Sequence, residues 1–376
     1  MKFTTLEKVL IDKIKPAIFD VTPGVHIKAY QGGRLACDVT VGETYPMYDL
    51  ASLTKIIFNQ QKMMHSFDQG LWHFESTVRK FKDDFFDDKI LLKDLLTHSA
   101  GLEWWKPYFK ELWPDGRSSV GMDWKTQREK LWKLLNNQSS VAANINDLKV
   151  TNPVNNTILN KSVYSDLDVL ILSYVMEQMF GKDLQQIWND VKDEFYPNST
   201  FHFNVNHKSE LDSKLYAPTE HCPYRKKTVR GEVHDENTWS LGGISNHAGL
   251  FGTADDVATY GLLVRSQLLG IAKYKIRQKT AQMFAQRAIL PEQGDWALGY
   301  MLPSPDVASC GNLFSIHSIG HTGFTGTSMW YDQRRDLLVI VLSNRLNYGR
   351  ENQRYVKLRP QIHTWIYEAT ERNLSV

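Results

Sequence analysis

Ser52 and Lys55 stand three residues apart in Ser52-Leu53-Thr54-Lys55, a stretch that reads as the opening of an amphipathic helix. Residues at that spacing share a helix face, so a hydroxyl and an amine come within hydrogen-bond reach. A serine hydroxyl is a weak nucleophile until a base takes its proton, and a desolvated lysine of lowered pKa is one such base. Two further segments carry matching chemistry, Tyr164-Ser165-Asp166 and His321-Thr322-Gly323. Together the three point to acyl transfer through a serine.

The elements that must position these groups follow from periodicity. Leu6, Val9, Leu10 and Ile14 fall at helical spacing within residues 5–18. Val25, Ile27 and Ala29, then Leu35, Cys37, Val39 and Val41, alternate about Gln31-Gly32-Gly33, which predicts a hairpin. The Ser52 helix should run to about Gly70. From there to about residue 260 the signals are mainly helical, with long loops over 103–125 and 195–240. Leu91 to Leu102 reads as a short helix ending at Gly101. Asp166 to Phe180 reads as a strong one, with Ser165 as N-cap, Asp168 as capping-box partner and Gly181 as the stop. Thr253 and Asp256 open a similar helix to about Leu269. After residue 290 period two returns, with strands expected near 314–321, 326–331 and 336–343 and a closing helix over 351–370 broken or kinked at Pro360.

Strands thus come from both chain ends around a helical block, an α/β (α+β) pattern. An antiparallel sheet needs cover on both faces, which terminal helices and the helical block can supply. The chain is expected to form one catalytic unit, residues 1–376, with a sheet-containing lobe (1–60 and 262–376), a mostly helical lobe (61–261) and the site in the crevice between them.

The chain resembles the penicillin-binding-protein and serine β-lactamase superfamily, in its class C β-lactamase, D-aminopeptidase and family VIII esterase branch. The resemblance rests on Tyr48-Asp49-Leu50-Ala51-Ser52-Leu53-Thr54-Lys55, Leu95-Leu96-Thr97-His98-Ser99-Ala100-Gly101-Leu102, Tyr164-Ser165-Asp166 and Gly320-His321-Thr322-Gly323-Phe324-Thr325-Gly326. It implies a β-lactamase/transpeptidase-like fold with Ser52 as nucleophile. Lys55 would take its proton, or hold the charge that lets Tyr164 do so, and both assignments stay open. It also implies an oxyanion site at the N–H of Ser52 and an N–H near Phe324, with Asp166, His321, Thr322 and Gly323 facing substrate.

Two departures matter. His321 stands where β-lactam enzymes usually carry lysine, and neutral imidazole clamps a carboxylate less well than ammonium. Asp166 stands where asparagine is usual, and a carboxylate close to Lys55 would raise its pKa. Both favour an ester or a different amide over a β-lactam. Val229 to Asn237 and Gly242 to Leu250 resemble cytosolic superfamily members. Some of those cleave the lactyl–peptide bond of muramyl peptides, with this stretch lining the cleft.

Composition sets bounds. Forty-four basic against 42 acidic residues give a net charge of +2, with no basic run to suggest nucleic acid. No apolar run is long enough to span a membrane, and charge interrupts the N-terminus before a secretory h-region forms. Three scattered cysteines argue against a disulfide framework, and the expected setting is cytoplasmic. His202, His207, His221, His234 and His247, with Asp235 and Glu236, show neither His-Glu-x-x-His nor Cys-x-x-Cys spacing, so no metal or other cofactor is expected. The expected partner is a small-molecule or peptide substrate, and nothing specifies an oligomeric state. The competing reading is a non-catalytic protein that keeps this fold for binding or assembly.

Overall fold

The computed structural model describes residues 4–113, 123–138, 148–209, 211–271, 276–305 and 308–374; part of the loop expected over 103–125 lies outside them. Helix α1 (Thr5–Ala17) opens on a capping box in which Thr4 and Glu7 satisfy each other's backbone N–H. The hairpin follows as β1 (Gly24–Gln31) and β2 (Arg34–Gly42).

Beyond Ser52 the backbone enters a π-helical turn (Lys55–Gln60) and then α2 (Gln61–Asp68). Every residue from Leu53 to Ser66 is buried, so this is a core helix rather than the amphipathic one its sequence suggests. Helix α3 (Leu92–Leu96) stops well short of Gly101 because Thr97 turns its hydroxyl onto Lys93 O (2.9 Å) and His98 adopts φ +54°. Helix α4 (Asp166–Phe180) has Ser165 as its cap, and Gly181 closes it in the left-handed region. Helix α5 (Leu184–Phe195) and helix α6 (Ala254–Leu269) both carry capping boxes, the latter from Thr253 and Asp256.

Three strands return near the C-terminus: β3 (Ile319–Thr322), β4 (Ser328–Asp332) and β5 (Leu337–Ser343). Residues 314–318, expected as strand, are drawn out of the sheet where Ser315 N–H and Oγ both bind the Asp332 carboxylate (2.7 Å each). Helix α7 (Arg354–Leu374) runs through Pro360 without a break. Ile362 and Ile366 beyond the proline bury fully in the core, which outweighs one missing backbone bond.

The sheet order is β3-β4-β5-β1-β2, antiparallel throughout. Strand β5 is buried at all seven positions, since both faces are covered. Leu337, Val339 and Val341 join a core with Leu10 and Ile14 of α1 and Ile362 and Ile366 of α7. Leu338, Ile340 and Leu342 join a second core with Val257 and Tyr260 of α6 and the helical block. Cys37, Cys222 and Cys310 are buried free thiols. No helix among the described residues is long and apolar enough to cross a membrane.

Candidate active site

Ser52 sits on a tight turn between a short strand (Tyr48–Asp49) and the π-helical turn, and Ala51 just before it takes φ +47°. A non-glycine residue there is strained by about 1–2 kcal/mol, so the surroundings must hold it. They do. The Asp49 carboxylate accepts the N–H of Ala51 (2.8 Å) and of His234 (2.7 Å). Thr325 and Thr327 donate their hydroxyls to Asp49 O (2.8 Å) and Leu50 O (3.0 Å). The strand motif after His321 thus locks the nucleophile turn.

Gly323 is what permits that contact. A Cβ there would lie 2.0 Å from Thr327 Oγ1 and 2.7 Å from Leu50 O. The close approach is therefore to the Ser52 turn, whereas the sequence suggested an approach to substrate. Gly323→Ala is expected to destabilise the fold by about 1–3 kcal/mol through overpacking and to impair any Ser52 chemistry, read by thermal unfolding and ester turnover on one preparation.

Tyr164 reaches Ser52 from the segment before α4. The turn at His98 aligns it. Val163 N–H donates to His98 O (2.8 Å), Ser165 N–H to His98 Nδ1 (3.2 Å), and Ser162 Oγ to Thr97 O (2.9 Å). Asp168 meets His98 Nδ1 at 2.8 Å, so its carboxyl serves that ring and not the capping box expected of it. Burial pushes the pKa of Asp168 well up and that of His98 well down. Trp296 stacks on the Tyr164 ring (5.9 Å, 10°) and completes its seat.

The three groups converge. Tyr164 Oη lies 2.7 Å from Ser52 Oγ, and Lys55 Nζ lies 3.1 Å from the same oxygen. Lys55 Nζ also donates to Asp166 Oδ1 (2.7 Å) and His247 O (3.0 Å), so its three protons are all engaged. Burial alone would lower the Lys55 pKa, but the charges of Asp166 and Tyr164 outweigh it and raise it above the ordinary lysine value. This reverses the expectation of a lysine with lowered pKa. Burial also raises Tyr164, against the lowering effect of Lys55.

The substrate-facing expectations divide. His321, Thr322, Gly323 and Phe324 line a cavity of about 290 Å³ with Ser52 and Tyr164. Asp166 does not; it is the counter-ion of Lys55. His321 Nδ1 is bonded to Thr322 O (2.9 Å), while burial, then the Lys55 charge, push its pKa down to about 3. The ring is neutral, its proton is on Nδ1, and Nε2 offers only a lone pair. The N–H groups of Ser52 and Phe324 make no hydrogen bond among the described residues, as an oxyanion site requires.

The stretch from Val229 to Leu250, expected along the cleft, is mostly buried behind Lys55, to which it gives His247 O. Asp166, Asp235 and His247 bring ligand-type atoms within 4.8 Å of one another, and the Lys55 ammonium already bonds to one of these carboxylates. Of the tryptophans, Trp113 (to Ser240 O, 3.0 Å) and Trp132 (to Asp84, 2.7 Å) are anchors, while Trp104 is exposed. Sequence reasoning missed Trp296, Met301, Arg345 and Arg359 in the cavity wall. A larger cleft of about 920 Å³ around Trp132 and Tyr174 is lined by Gly242 and Ile244 of the 229–250 stretch but by none of Ser52, Lys55, Tyr164 and His321.

A family model described as Beta-lactamase matches residues 21–360. A protein of Salmonella agona (strain SL483), provisionally named D-alanyl-D-alanine carboxypeptidase, is 27% identical over 353 residues, covering 85% of this chain and 74% of that protein. EstCE1, a hydrolase with promiscuous acyltransferase activity, superposes with a TM-score of 0.68 at 18% identity, over 97% of this chain and 100% of the other. The octameric penicillin-binding protein homologue from Pyrococcus abyssi superposes at 0.64 and 17% identity, over 91% and 74%. At such identities the structural likeness is one of fold.

Proposed function

Since the chain belongs to the beta-lactamase family, we propose that it is a serine hydrolase that cleaves a small ester or amide through an acyl-Ser52 intermediate. The observation that carries this is the meeting of Tyr164 Oη and Lys55 Nζ on Ser52 Oγ from residues 112 and 3 positions away. Lys55, fully protonated with no lone pair, serves as a fixed cation. Tyr164 is then the proton carrier. In one relay, Ser52 Oγ bonds to the acyl carbon as its proton passes to Tyr164 Oη and the phenol's own proton passes to the leaving oxygen or nitrogen, which departs as the acyl bond breaks, so Tyr164 stays neutral throughout. Water reverses the sequence in deacylation.

The Salmonella relative's name supports a peptide substrate and EstCE1's supports an ester. A neutral His321 without a donor at Nε2 supports weak or absent β-lactam hydrolysis. The test is a turnover panel on one preparation: p-nitrophenyl acetate, a peptide ending in D-alanyl-D-alanine, a muramyl-L-alanyl peptide and a chromogenic β-lactam, each with Ser52→Ala as control. Ser52-dependent turnover of an ester or peptide is expected, and failure on all four contradicts the proposal.

The proton assignment has its own test. With Lys55 and Tyr164 both raised, neither titrates between about pH 6 and about pH 9, and kcat/KM for a neutral ester should be flat there. Asp166→Asn removes the counter-charge, so burial then lowers the Lys55 pKa. Because the account needs the ammonium, activity of the variant should fall as pH rises through that lowered value, by about tenfold per unit. A limb that rises instead would make neutral Lys55 the base.

A further inference from the structure

The 229–250 stretch meets Lys55 through His247 O, which accepts from Nζ at 3.0 Å. The backbone alone does not aim that carbonyl. Gly242, Gly243 and Gly249 take φ of +89°, +88° and +105°, and glycine's freedom there leaves the chain between them few restraints of its own. From Ile244 to Gly249 no N–H donates to a backbone carbonyl among the described residues. Side chains hold the loop instead. Asn246 Nδ2 donates to Asn59 Oδ1 (2.9 Å), and the wholly buried His247 ring is engaged at both nitrogens. Nδ1 meets Ser245 Oγ at 2.6 Å, and Nε2 meets Asp235 Oδ1 at 3.1 Å.

Burial would raise the Asp235 pKa, but its contacts with His247 and Thr238 hold it below the usual carboxylate range. Asp235 is therefore the acceptor and Nε2 carries the proton, which fixes how the ring faces. Asp235 is itself held, since it caps the short helix Glu236–Ser240 and accepts the Thr238 N–H (2.6 Å). On either side of that cap, Glu236 binds Arg350 (2.6 Å) and Asn237 accepts the Phe109 N–H (3.0 Å). Ser245, His247 and Asp235 have the membership of a nucleophilic triad, yet Ser245 is 0% exposed, so no acyl group reaches it. The array serves its neighbour.

Lys55 Nζ has three protons and three acceptors: Asp166 Oδ1 (2.7 Å), His247 O (3.0 Å) and Ser52 Oγ (3.1 Å). Two fixed acceptors decide where the third proton points. Without the carbonyl, the ammonium swings on its single ion pair with Asp166, and a displacement of about 1 Å is enough to cost up to about 10²-fold in rate.

We propose that Asp235 and His247 are positioning residues for Lys55, pinning the His247 carbonyl so that the ammonium stays on Ser52 Oγ during acyl transfer. Neither lines the Ser52 cavity. Segments 229–237 and 242–250 thereby share one task, each supplying one member of the pair. This deepens the reading of Ser52 as a nucleophile and rests on it.

The test is the rate at which a fluorophosphonate labels Ser52, followed by intact mass, alongside kcat/KM for p-nitrophenyl acetate. Asp235→Ala and His247→Phe should each label about 10- to 100-fold more slowly than wild type yet still reach one adduct per chain, with kcat/KM falling in step. Asp235→Asn, which keeps an acceptor for the Nε2 proton, should recover most of the rate. Adding His247→Phe to Asp235→Ala should cost little more, because the two act as a unit. Rate and adduct count separate positioning from folding, since a partly unfolded preparation labels to less than one adduct at an unchanged rate. If the larger changes do not fold, Ser245→Ala removes only the Nδ1 partner and should slow labelling by about threefold or more at full adduct count.

Folded variants that label as fast as wild type, a defect confined to adduct count, or Asp235→Asn no better than Asp235→Ala overturns the positioning role and leaves Ser52 standing. Wild-type protein that takes up no label contradicts the nucleophile reading, and the positioning role with it.

Discussion

Ser52→Ala is expected to lower turnover of a nitrophenyl ester or peptide substrate by about 10⁴-fold or more, the range seen when a serine nucleophile is deleted. The loss should fall on kcat. The reason is geometric: Ser52 Oγ meets both Tyr164 (2.7 Å) and Lys55 (3.1 Å) in the wall of the cavity. Removing it leaves both partners in place, since Lys55 keeps Asp166 and His247 O and Tyr164 keeps its stack on Trp296. Stability should therefore change little. Steady-state kinetics on wild type and variant, with matched thermal unfolding, checks both halves. A loss below tenfold would move the chemistry to another residue.

Tyr164→Phe carries the second large effect, about 10²- to 10⁴-fold, the usual worth of a positioned acid–base group. The substitution deletes one oxygen and keeps the ring, so the contacts with His98 (4.9 Å) and Trp296 persist. What is lost is the acceptor for the Ser52 proton, because Lys55, held as an ammonium, has none to offer. The position of Lys55 under Asp166 makes this prediction sharp. If lysine were the base, Tyr164→Phe would cost little and Lys55→Met would cost everything. Esters with good and poor leaving groups separate the two tasks of the phenol. A nitrophenolate needs no proton to depart, so the defect should grow as the leaving group becomes more basic.

Much of this was legible from local chemistry. Ser165 and Thr253 with Asp256 marked their helix starts because a cap is decided by side chain and backbone within a few residues. The alternation of β1 and β2 marked the hairpin in the same way, since a strand's period is written in neighbouring residues. The gathering of Ser52, Lys55 and Tyr164 followed from motifs at wide spacing and from the family resemblance they carry.

What escaped was set by distant partners. Asp168 looked like a capping residue until His98, 70 positions earlier, took its carboxyl. Residues 314–318 alternate like a strand, yet Asp332 holds Ser315 away from the sheet. A carboxylate close to Lys55 was expected to raise its pKa, but only the fold shows that Asp166, 111 positions later, lies that close. Arg345 and Arg359 gave no signal, since burial in the cavity wall is a property of the folded molecule alone.

The central claim is that Ser52 becomes acylated with the help of Tyr164. Intact mass after brief exposure to a fluorophosphonate, followed by peptide mapping, reads it directly. The account predicts one adduct per chain, located on Ser52, absent from Ser52→Ala and formed much more slowly by Tyr164→Phe. An unmodified protein, or an adduct that persists in Ser52→Ala, would contradict it.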